Sequence, residues 1–194
     1  LTVGTDCNAG KMTASLELHR EFVRRGLKSD FVATGQTGML LSGRGFAVDS
    51  IISDYVAGGI EHEIEKRVAE GAEFIHVEGQ GSLTHQGYSS VTLGLMHGTM
   101  PDAMIMVHHP VRLVDDYGFP ITDVRKLNAL HETILEPFRK SKVVGIAINT
   151  AMMTKQQVDV AISELEEQTG LLTANVLDDG VKKLADALIE FLQK

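Results

Sequence analysis

The sequence predicts an α/β domain: a parallel sheet of about six strands with helices on both faces. Short apolar segments alternate along the chain with longer segments whose apolar residues have helical spacing. Buried strands joined by helices favour a parallel sheet with right-handed crossovers. The length of 194 residues suits a single domain, spanning residues 1–194, with a sizeable core.

The elements follow in order along the chain. The predicted strands are residues 1–3, 30–33, 73–77, 102–107, 142–148 and 171–176. The predicted helices are residues 12–25, 124–139, 154–169 and 181–192, with two helical pieces in 48–71 that are broken at Gly58 and Gly59. A glycine-rich turn is expected at 35–38. A long loop is expected at 79–101, and connections of that length are usually functional or mobile.

Composition excludes several classes of protein. The formal charge of -8 argues against a nucleic-acid-binding surface. No apolar run approaches the roughly 20 residues that span a membrane, so no membrane partner is expected. The single cysteine, Cys7, rules out an internal disulfide and indicates a reducing, cytoplasmic environment. A homo-oligomer is expected only because symmetric dimers are common.

The segment VGTDCNAGKMT, residues 3–13, predicts a phosphate-binding loop. A strand precedes it and a helix follows, so unpaired N–H groups and the helix dipole would favour an anion there. Lys11 would bridge two phosphate groups as a mobile point charge. Five residues separate Gly4 from Gly10, where the usual loop has four, and Met12 replaces the hydroxyl residue that normally holds Mg²⁺. The predicted cofactor-binding residues here are Gly4, Thr5, Asp6, Cys7, Asn8, Ala9, Gly10, Lys11, Met12 and Thr13.

Acidic residues near the loop suggest a possible Mg²⁺ site. Glu78 ends an apolar strand and would aim a carboxylate at Mg²⁺ or its water. Asp49 and Asp54 diverge by about 140° if they share one helix, so only one of them faces a metal. We predict Asp54, with Glu78 and Thr13, because Mg²⁺ needs one or two carboxylates besides phosphate oxygens and water.

Three further residues are candidates for chemistry or recognition. His85 is a possible general base, since the unperturbed pKa of histidine lies near neutrality, and with Glu78 it forms the predicted catalytic set. Cys7 lies near a helix N-terminus, where a thiol could form an acyl intermediate, although a small loop-filling residue is the simpler interpretation. Asn149 follows a strongly apolar strand, and its amide could read the edge of an adenine. In an open parallel sheet ligands bind beyond the carboxyl ends of the strands, and residues 4–11, 35–38, 78–97 and Asn149 are all expected there.

The sequence resembles known families, both in its phosphate loop and over its whole length. The loop GTDCNAGKMT looks like the variant phosphate loop of dethiobiotin synthetase, whose glycines are also five residues apart. The whole chain more closely resembles the C-terminal P-loop domain of the D-glutamate N-acetyltransferase-like family, formerly a domain of unknown function. The segments that carry this resemblance are GTDCNAGKMT, VDSIISDYVAGGIEHE, HVEGQGSLTHQGYSSVTLGLMHGTMPDAM and GIAINT.

The resemblance implies a P-loop NTPase-like fold and a place in the C-terminal part of a longer two-domain protein, with an N-terminal partner domain. It also implies acetyl-CoA and D-glutamate as ligands, with acyl transfer to an amino group. Two alternatives stay open: a ligase or kinase that uses ATP and Mg²⁺, and a non-catalytic nucleotide-sensing module.

Overall fold

The computed structural model describes residues 1–193. Within this range six strands alternate with seven α-helices. The strands are β1 (Thr2–Gly4), β2 (Ser29–Val32), β3 (Phe74–Val77), β4 (Ala103–His108), β5 (Lys142–Ile148) and β6 (Thr173–Asn175). The helices are α1 (Lys11–Arg24), α2 (Gln36–Ser42), α3 (Val56–Ala69), α4 (Ser89–Thr99), α5 (Val124–Leu135), α6 (Lys155–Thr169) and α7 (Lys182–Leu192).

All strand pairs are parallel, so the predicted α/β class is confirmed. The prediction of one sheet of about six strands is wrong, because the strands divide into a sheet of four, ordered β1-β4-β5-β6, and a pair, β2-β3. A side chain joins the two parts: the Gly79 amide donates to Thr2 Oγ1 at 3.0 Å. Within residues 1–193 β1 and β3 are not paired by a backbone ladder, and this hydroxyl bridges the two sheets.

Helices cover both faces of the four-stranded sheet, as predicted. Strand β4 alternates between the faces: Ile105 and Val107 pack in one cluster, and Met104 and Met106 pack in the other. Helices α1 and α7 supply the first cluster, and α4, α5 and α6 supply the second. This alternation follows from the period of two along a strand.

The predicted break at Gly58 and Gly59 is wrong. Two short 3₁₀ turns, Val48–Ser50 and Ser53–Tyr55, precede α3, and α3 then runs through both glycines without interruption. Close packing explains the second glycine, since a Cβ at Gly59 would lie 3.0 Å from the ring of Phe46. The glycine marks a close contact here rather than the end of a helix.

Two other segments are more regular than predicted. The expected turn at 35–38 belongs to helix α2. The expected loop at 79–101 contains helix α4, whose apolar residues face α3 and the sheet. Helix α4 is rich in serine, threonine and glycine, and this composition is why the sequence predicts a loop there. Among residues 1–193 no helix is long and apolar enough to cross a membrane.

Candidate functional site

A cleft of about 670 Å³ lies beyond the carboxyl ends of β1, β2 and β3. The phosphate loop and the start of α1 form one wall, and the segments after β2 and β3 form the other. The lining residues from the phosphate loop are Cys7, Asn8, Gly10, Lys11, Met12 and Thr13. The lining residues opposite include Thr34, Gly35, Gln36, Asp49, Glu78 and Gln80. The phosphate loop, the segment after β2 and Glu78 therefore meet at this edge as predicted, whereas Asn149 is not among the lining residues.

The loop needs its glycine at the start of α1. Gly10 precedes the helix with φ of 109°, in the left-handed region. Any other L-residue would be strained in this backbone conformation. Asn8 also has a positive φ, of 52°. The turn delivers the first N–H groups of α1, which have no partner within the helix, toward the cleft. This is the arrangement that binds an anion at a helix N-terminus.

Lys11 is buried and is held by its own loop. Its ammonium donates to the Asp6 carbonyl oxygen at 2.6 Å, and only 6% of the residue is exposed. Burial lowers the pKa of Lys11 to about 8. A phosphate entering the cleft therefore competes with the Asp6 carbonyl for this ammonium.

Arg112 adds a cation to the loop that the sequence did not reveal. It lies on a segment after β4 that folds back on itself through a bridge between Val114 and Pro120. Its Nη1 donates to Asp6 Oδ2 at 2.9 Å and to the Cys7 carbonyl oxygen at 2.6 Å. The signal in the sequence is one arginine shortly after a strand end, which by itself is not distinctive.

Glu78 reaches the cleft as predicted and is 3% exposed. The Thr34 and Gly35 amides donate to its Oε2 at 2.9 and 3.2 Å, and Gln80 donates to its Oε1 at 3.1 Å. A Cβ at Gly38 would lie 2.2 Å from Oε2, so this glycine makes room for the carboxylate. The carboxylate is thus fixed in one orientation at the end of β3.

The structure places the predicted metal ligands differently from the sequence argument. Thr13 lines the cleft, but Asp54 is exposed and is not among the lining residues. Asp49 lines it instead and accepts a hydrogen bond from Gln36 at 2.9 Å. The prediction of Asp54 as a metal ligand depends on one helix for both aspartates, whereas each lies in its own 3₁₀ turn. Asp49 therefore replaces Asp54 in the set of residues that face the cleft.

His85 lies behind the cleft wall and not on its surface. Only 2% of it is exposed, and its ring packs against Tyr88 and Tyr117 with centroids 4.9 and 5.0 Å away. The Gly87 amide donates to Nδ1 at 3.2 Å. In the neutral ring the proton therefore sits on Nε2, so this histidine is a donor as it stands and does not fit the predicted role of general base.

Thr5, Ala9 and Asn149 lie behind the phosphate loop, whereas Cys7 lines the cleft. Thr5 Oγ1 lies 3.0 Å from His108 Nδ1, and Ala9 is fully buried in the core. Burial raises the pKa of the Cys7 thiol, which disfavours the reactive thiolate. Asn149 backs Gly10, and its Oδ1 accepts from the Ala151 amide at 3.0 Å.

The cleft is lined by acidic residues as well as by the phosphate loop. Among the described residues that line it, Lys11 is the single cation, while Asp49, Glu78 and Asp116 carry carboxylates. A ligand with several phosphates would meet net negative charge on these walls. A divalent cation bound with the phosphates would offset that charge.

A second cavity, of about 520 Å³, lies at the amino ends of the strands. Its lining is largely apolar and includes Phe22, Phe74 and Leu188. The phosphate loop does not contribute to it. Ligands of open parallel sheets bind at the carboxyl ends, so the acidic cleft is the candidate site.

The fold and the loop together define a P-loop domain of the nucleotide-binding type. More specifically, the chain belongs to the family whose model is described as a domain of unknown function, the DUF1611_C P-loop domain, which matches residues 1–185. The resemblance stated from the sequence is confirmed by this match.

The chain is 40% identical over 192 residues to a D-glutamate N-acetyltransferase from Tritonibacter scottomollicae, covering 97% of this chain and 57% of that protein. The crystal structure of a DUF1611 family protein from Anabaena variabilis superposes with a TM-score of 0.92 at 38% identity, covering 97% of this chain and 56% of that one. The chain thus spans little more than half the length of these relatives.

A more distant structure shows the fold alone. Cobyrinic acid a,c-diamide synthase from Mycobacterium smegmatis, with bound ADP and magnesium, matches with a TM-score of 0.57 at 12% identity. The match covers 100% of this chain and 96% of the synthase. The P-loop NTPase-like fold predicted from the loop is confirmed.

Proposed function

We propose that this chain is the cofactor-binding domain of an N-acetyltransferase, which moves an acetyl group from acetyl-CoA to the amino group of a D-amino acid such as D-glutamate. The observation that carries the proposal is the 40% identity, over nearly the whole chain, to a protein of that name. The cleft supports it, because CoA carries a pyrophosphate and a 3′-phosphate that suit a phosphate loop.

The cleft and the residue that packs behind its phosphate loop each have a role in this proposal. The N–H groups of the first turn of α1, with Lys11, hold the phosphates of CoA. Asn149, which packs behind Gly10, reads the adenine edge. Acetyl transfer also needs an unprotonated amine and a donor near the thioester oxygen. Glu78 is the acceptor in the cleft that can orient the amine.

A specific observation favours a second candidate, binding of ATP with Mg²⁺. The acidic lining suits a phosphate ligand that arrives with a divalent cation. Asp49, Glu78 and Thr13 offer the oxygen ligands that Mg²⁺ prefers, so the residues present fit the ion. Bound there, Mg²⁺ would neutralise phosphate charge. This candidate makes the domain part of a ligase or kinase.

The length of the relatives bears on the rest of the protein. Because this chain covers 57% of the Tritonibacter enzyme, we propose that a further domain works together with the P-loop domain. A cytoplasmic location and a homo-oligomer also remain proposals, resting on the single cysteine and on the general frequency of symmetric dimers.

Calorimetric titration of this chain separates the candidates. Acetyl-CoA and ATP, each with and without Mg²⁺, are titrated into the wild type and into Lys11→Met, which keeps an apolar stem in the buried position. For the acetyltransferase we expect Mg²⁺-independent binding of acetyl-CoA that Lys11→Met weakens at least tenfold, which is about 1.4 kcal/mol.

Lys28→Met is the matched control, since Lys28 is 70% exposed in its side chain and pairs with Glu73 on the surface. Its affinities should equal those of the wild type. ATP binding that requires Mg²⁺, with no binding of acetyl-CoA, would establish the second candidate. Failure of both ligands to bind would leave the nucleotide-sensing module, with a different nucleotide, as the working hypothesis.

A further inference from the structure

A cluster of three unlike donor groups lies just behind the cleft wall. Asp6 and Cys7 come from the phosphate loop, and His85 comes from the segment between β3 and α4. One carboxylate oxygen, the thiol sulfur and one ring nitrogen all lie within 4.8 Å of one another. Asp6 and His85 are 1% and 2% exposed, so these two donors are shielded from bulk water, whereas Cys7 is partly exposed.

One atom of the cluster lacks a partner. His85 Nε2 is buried and makes no hydrogen bond to any group in residues 1–193. Its nearest charged neighbour, Asp6 Oδ1, is 4.0 Å away, which is too far for a hydrogen bond. Buried polar atoms are nearly always satisfied, so an unpaired nitrogen aimed at a carboxylate and a thiol suggests that another group belongs between them.

We propose that Asp6, Cys7 and His85 bind a transition-metal dication of the Zn²⁺ type. The donor set of one sulfur, one nitrogen and one oxygen suits Zn²⁺ and excludes Mg²⁺, which takes oxygen ligands. Bonds of about 2.0–2.3 Å place tetrahedral ligands roughly 3.3–3.8 Å apart. The three donors therefore need to close by about 1 Å.

Charge and support are consistent with such a site. Thiolate and carboxylate together carry two negative charges, of which Arg112 offsets one, so the group presents a net charge of -1 to the dication. Tyr88 and Tyr117 hold the ring of His85 in place, and Arg112 holds Asp6 through its other oxygen. Supporting contacts of this kind orient metal ligands.

Metal binding requires two proton movements. The Cys7 thiol loses its proton to solvent. The proton on His85 moves from Nε2 to Nδ1, and the hydrogen bond from the Gly87 amide, 3.2 Å long, is given up. The cost is that hydrogen bond together with a local shift of Gly87, because its N–H and the new Nδ1–H would otherwise be two opposed donors 3.2 Å apart.

The position of Cys7 decides where a fourth ligand would lie. Cys7 lines the cleft, whereas Asp6 and His85 lie behind it. The open coordination position therefore faces the cleft beside the phosphate loop. A metal there would bind an oxygen of the ligand that the phosphate loop holds, as a Lewis acid.

Cobalt titration tests the site in the whole chain, after the protein has been treated with a chelator and freed of it. Because Cys7 is the single cysteine, any thiolate-to-cobalt absorption band must come from this residue. We expect the band to saturate at one equivalent of Co²⁺ and to disappear when Zn²⁺ is added. Alkylation of Cys7 in the folded wild type should abolish the band, and this result does not depend on the folding of a variant.

Substitutions identify the other two ligands. His85→Gln and Asp6→Asn should each weaken Co²⁺ binding at least tenfold. His62→Gln, on the exposed side of α3, is the matched control and should bind as the wild type does. Absence of the band in the wild type, or unchanged affinity in His85→Gln, would overturn the proposal. Neither measurement involves acetyl-CoA or ATP, so the result is independent of the proposed function.

Discussion

Single residues in this protein are held by charged partners that the fold brings together, and Glu21 is a clear case. It lies on α1 and is 7% exposed. Arg24 donates to it at 2.6 and 2.7 Å, and Arg25 donates at 2.8 Å. Arg25 also reaches Asp186 on α7, so the group joins the two helices. Hydrogen bonds from Arg24, followed by those from Arg25, lower the pKa of Glu21 from 4.5 to about 2.

The lowered pKa predicts how stability depends on pH. Because the folded pKa is below the unfolded value, Glu21 stabilises the fold above about pH 4.5, and this contribution is lost as the pH falls toward 2. We expect Glu21→Gln to lower the free energy of unfolding by about 1 kcal/mol at pH 7 and by much less near pH 3. Urea unfolding at both pH values measures the difference.

Glu17→Gln is the control for that experiment. Glu17 lies on the same helix, and its ion-pair partner among the described residues is the exposed Arg20. Its substitution should change stability by a few tenths of a kcal/mol at most. An effect of Glu21→Gln that is the same at pH 7 and pH 3 would contradict the assignment.

Single residues of the candidate site differ in how well the sequence predicts their positions. Lys11 and Glu78 reach the cleft as expected, because Lys11 begins the helix that follows the phosphate loop and Glu78 directly follows the end of β3. Asp54 does not, because the choice between Asp49 and Asp54 depended on an assumed helix. Arg112 gave no pattern at all, since its contact with Asp6 arises from the path of a loop.

At the scale of elements, small residues set how closely α3 and α4 pack. A Cβ at Gly98 of α4 would lie 2.4 Å from the carbonyl oxygen of Ala57, and one at Gly94 would lie 2.9 Å from Val56. Gly58 of α3 has nothing within 4 Å of such an atom. Close packing between α3 and α4 thus explains glycine at positions 94 and 98, but it does not explain glycine at position 58.

This contrast predicts opposite effects of alanine. Gly98→Ala forces the backbones of α3 and α4 apart and should destabilise the protein by about 1–3 kcal/mol. Gly58→Ala meets no neighbour and should stabilise it by about 0.5–1 kcal/mol, because alanine favours the helix. Urea unfolding of the two variants tests the packing directly. Equal effects of the two substitutions would show that the helices are not in close contact.

The elements also show why part of the fold could not be predicted. Strand β5 was predicted with its observed bounds, because the residues after Lys142, VVGIAI, carry the apolar character of a central strand. Helix α4 was missed, since Ser89, Ser90 and its glycines weaken the helical pattern and only the contact with α3 makes sense of them. The sequence shows the glycines of α4, but it does not show that α3 packs against them.

At the scale of the whole molecule, the four-stranded and two-stranded sheets must stay aligned, because the phosphate loop follows β1 whereas Glu78 follows β3. Thr2 lies at this seam and is 3% exposed. Its hydroxyl accepts from the Gly79 amide at 3.0 Å and donates to the Lys11 carbonyl at 3.2 Å. A Cβ at Gly79 would lie 1.8 Å from the Thr2 carbonyl oxygen, so the two strands approach closely there.

Replacement of Thr2 tests whether this hydroxyl aligns the two sheets. Thr2→Val keeps the shape of the side chain but leaves the buried Gly79 amide without an acceptor, which should cost about 1–3 kcal/mol of unfolding free energy. Thr2→Ser keeps the hydroxyl and removes a methyl group, so it should cost about 1 kcal/mol. If the seam also positions the cleft, Thr2→Val should weaken binding of the phosphate ligand, while Thr2→Ser should not. Equal stability of the two variants would show that the apolar contacts, and not the hydroxyl, join the sheets.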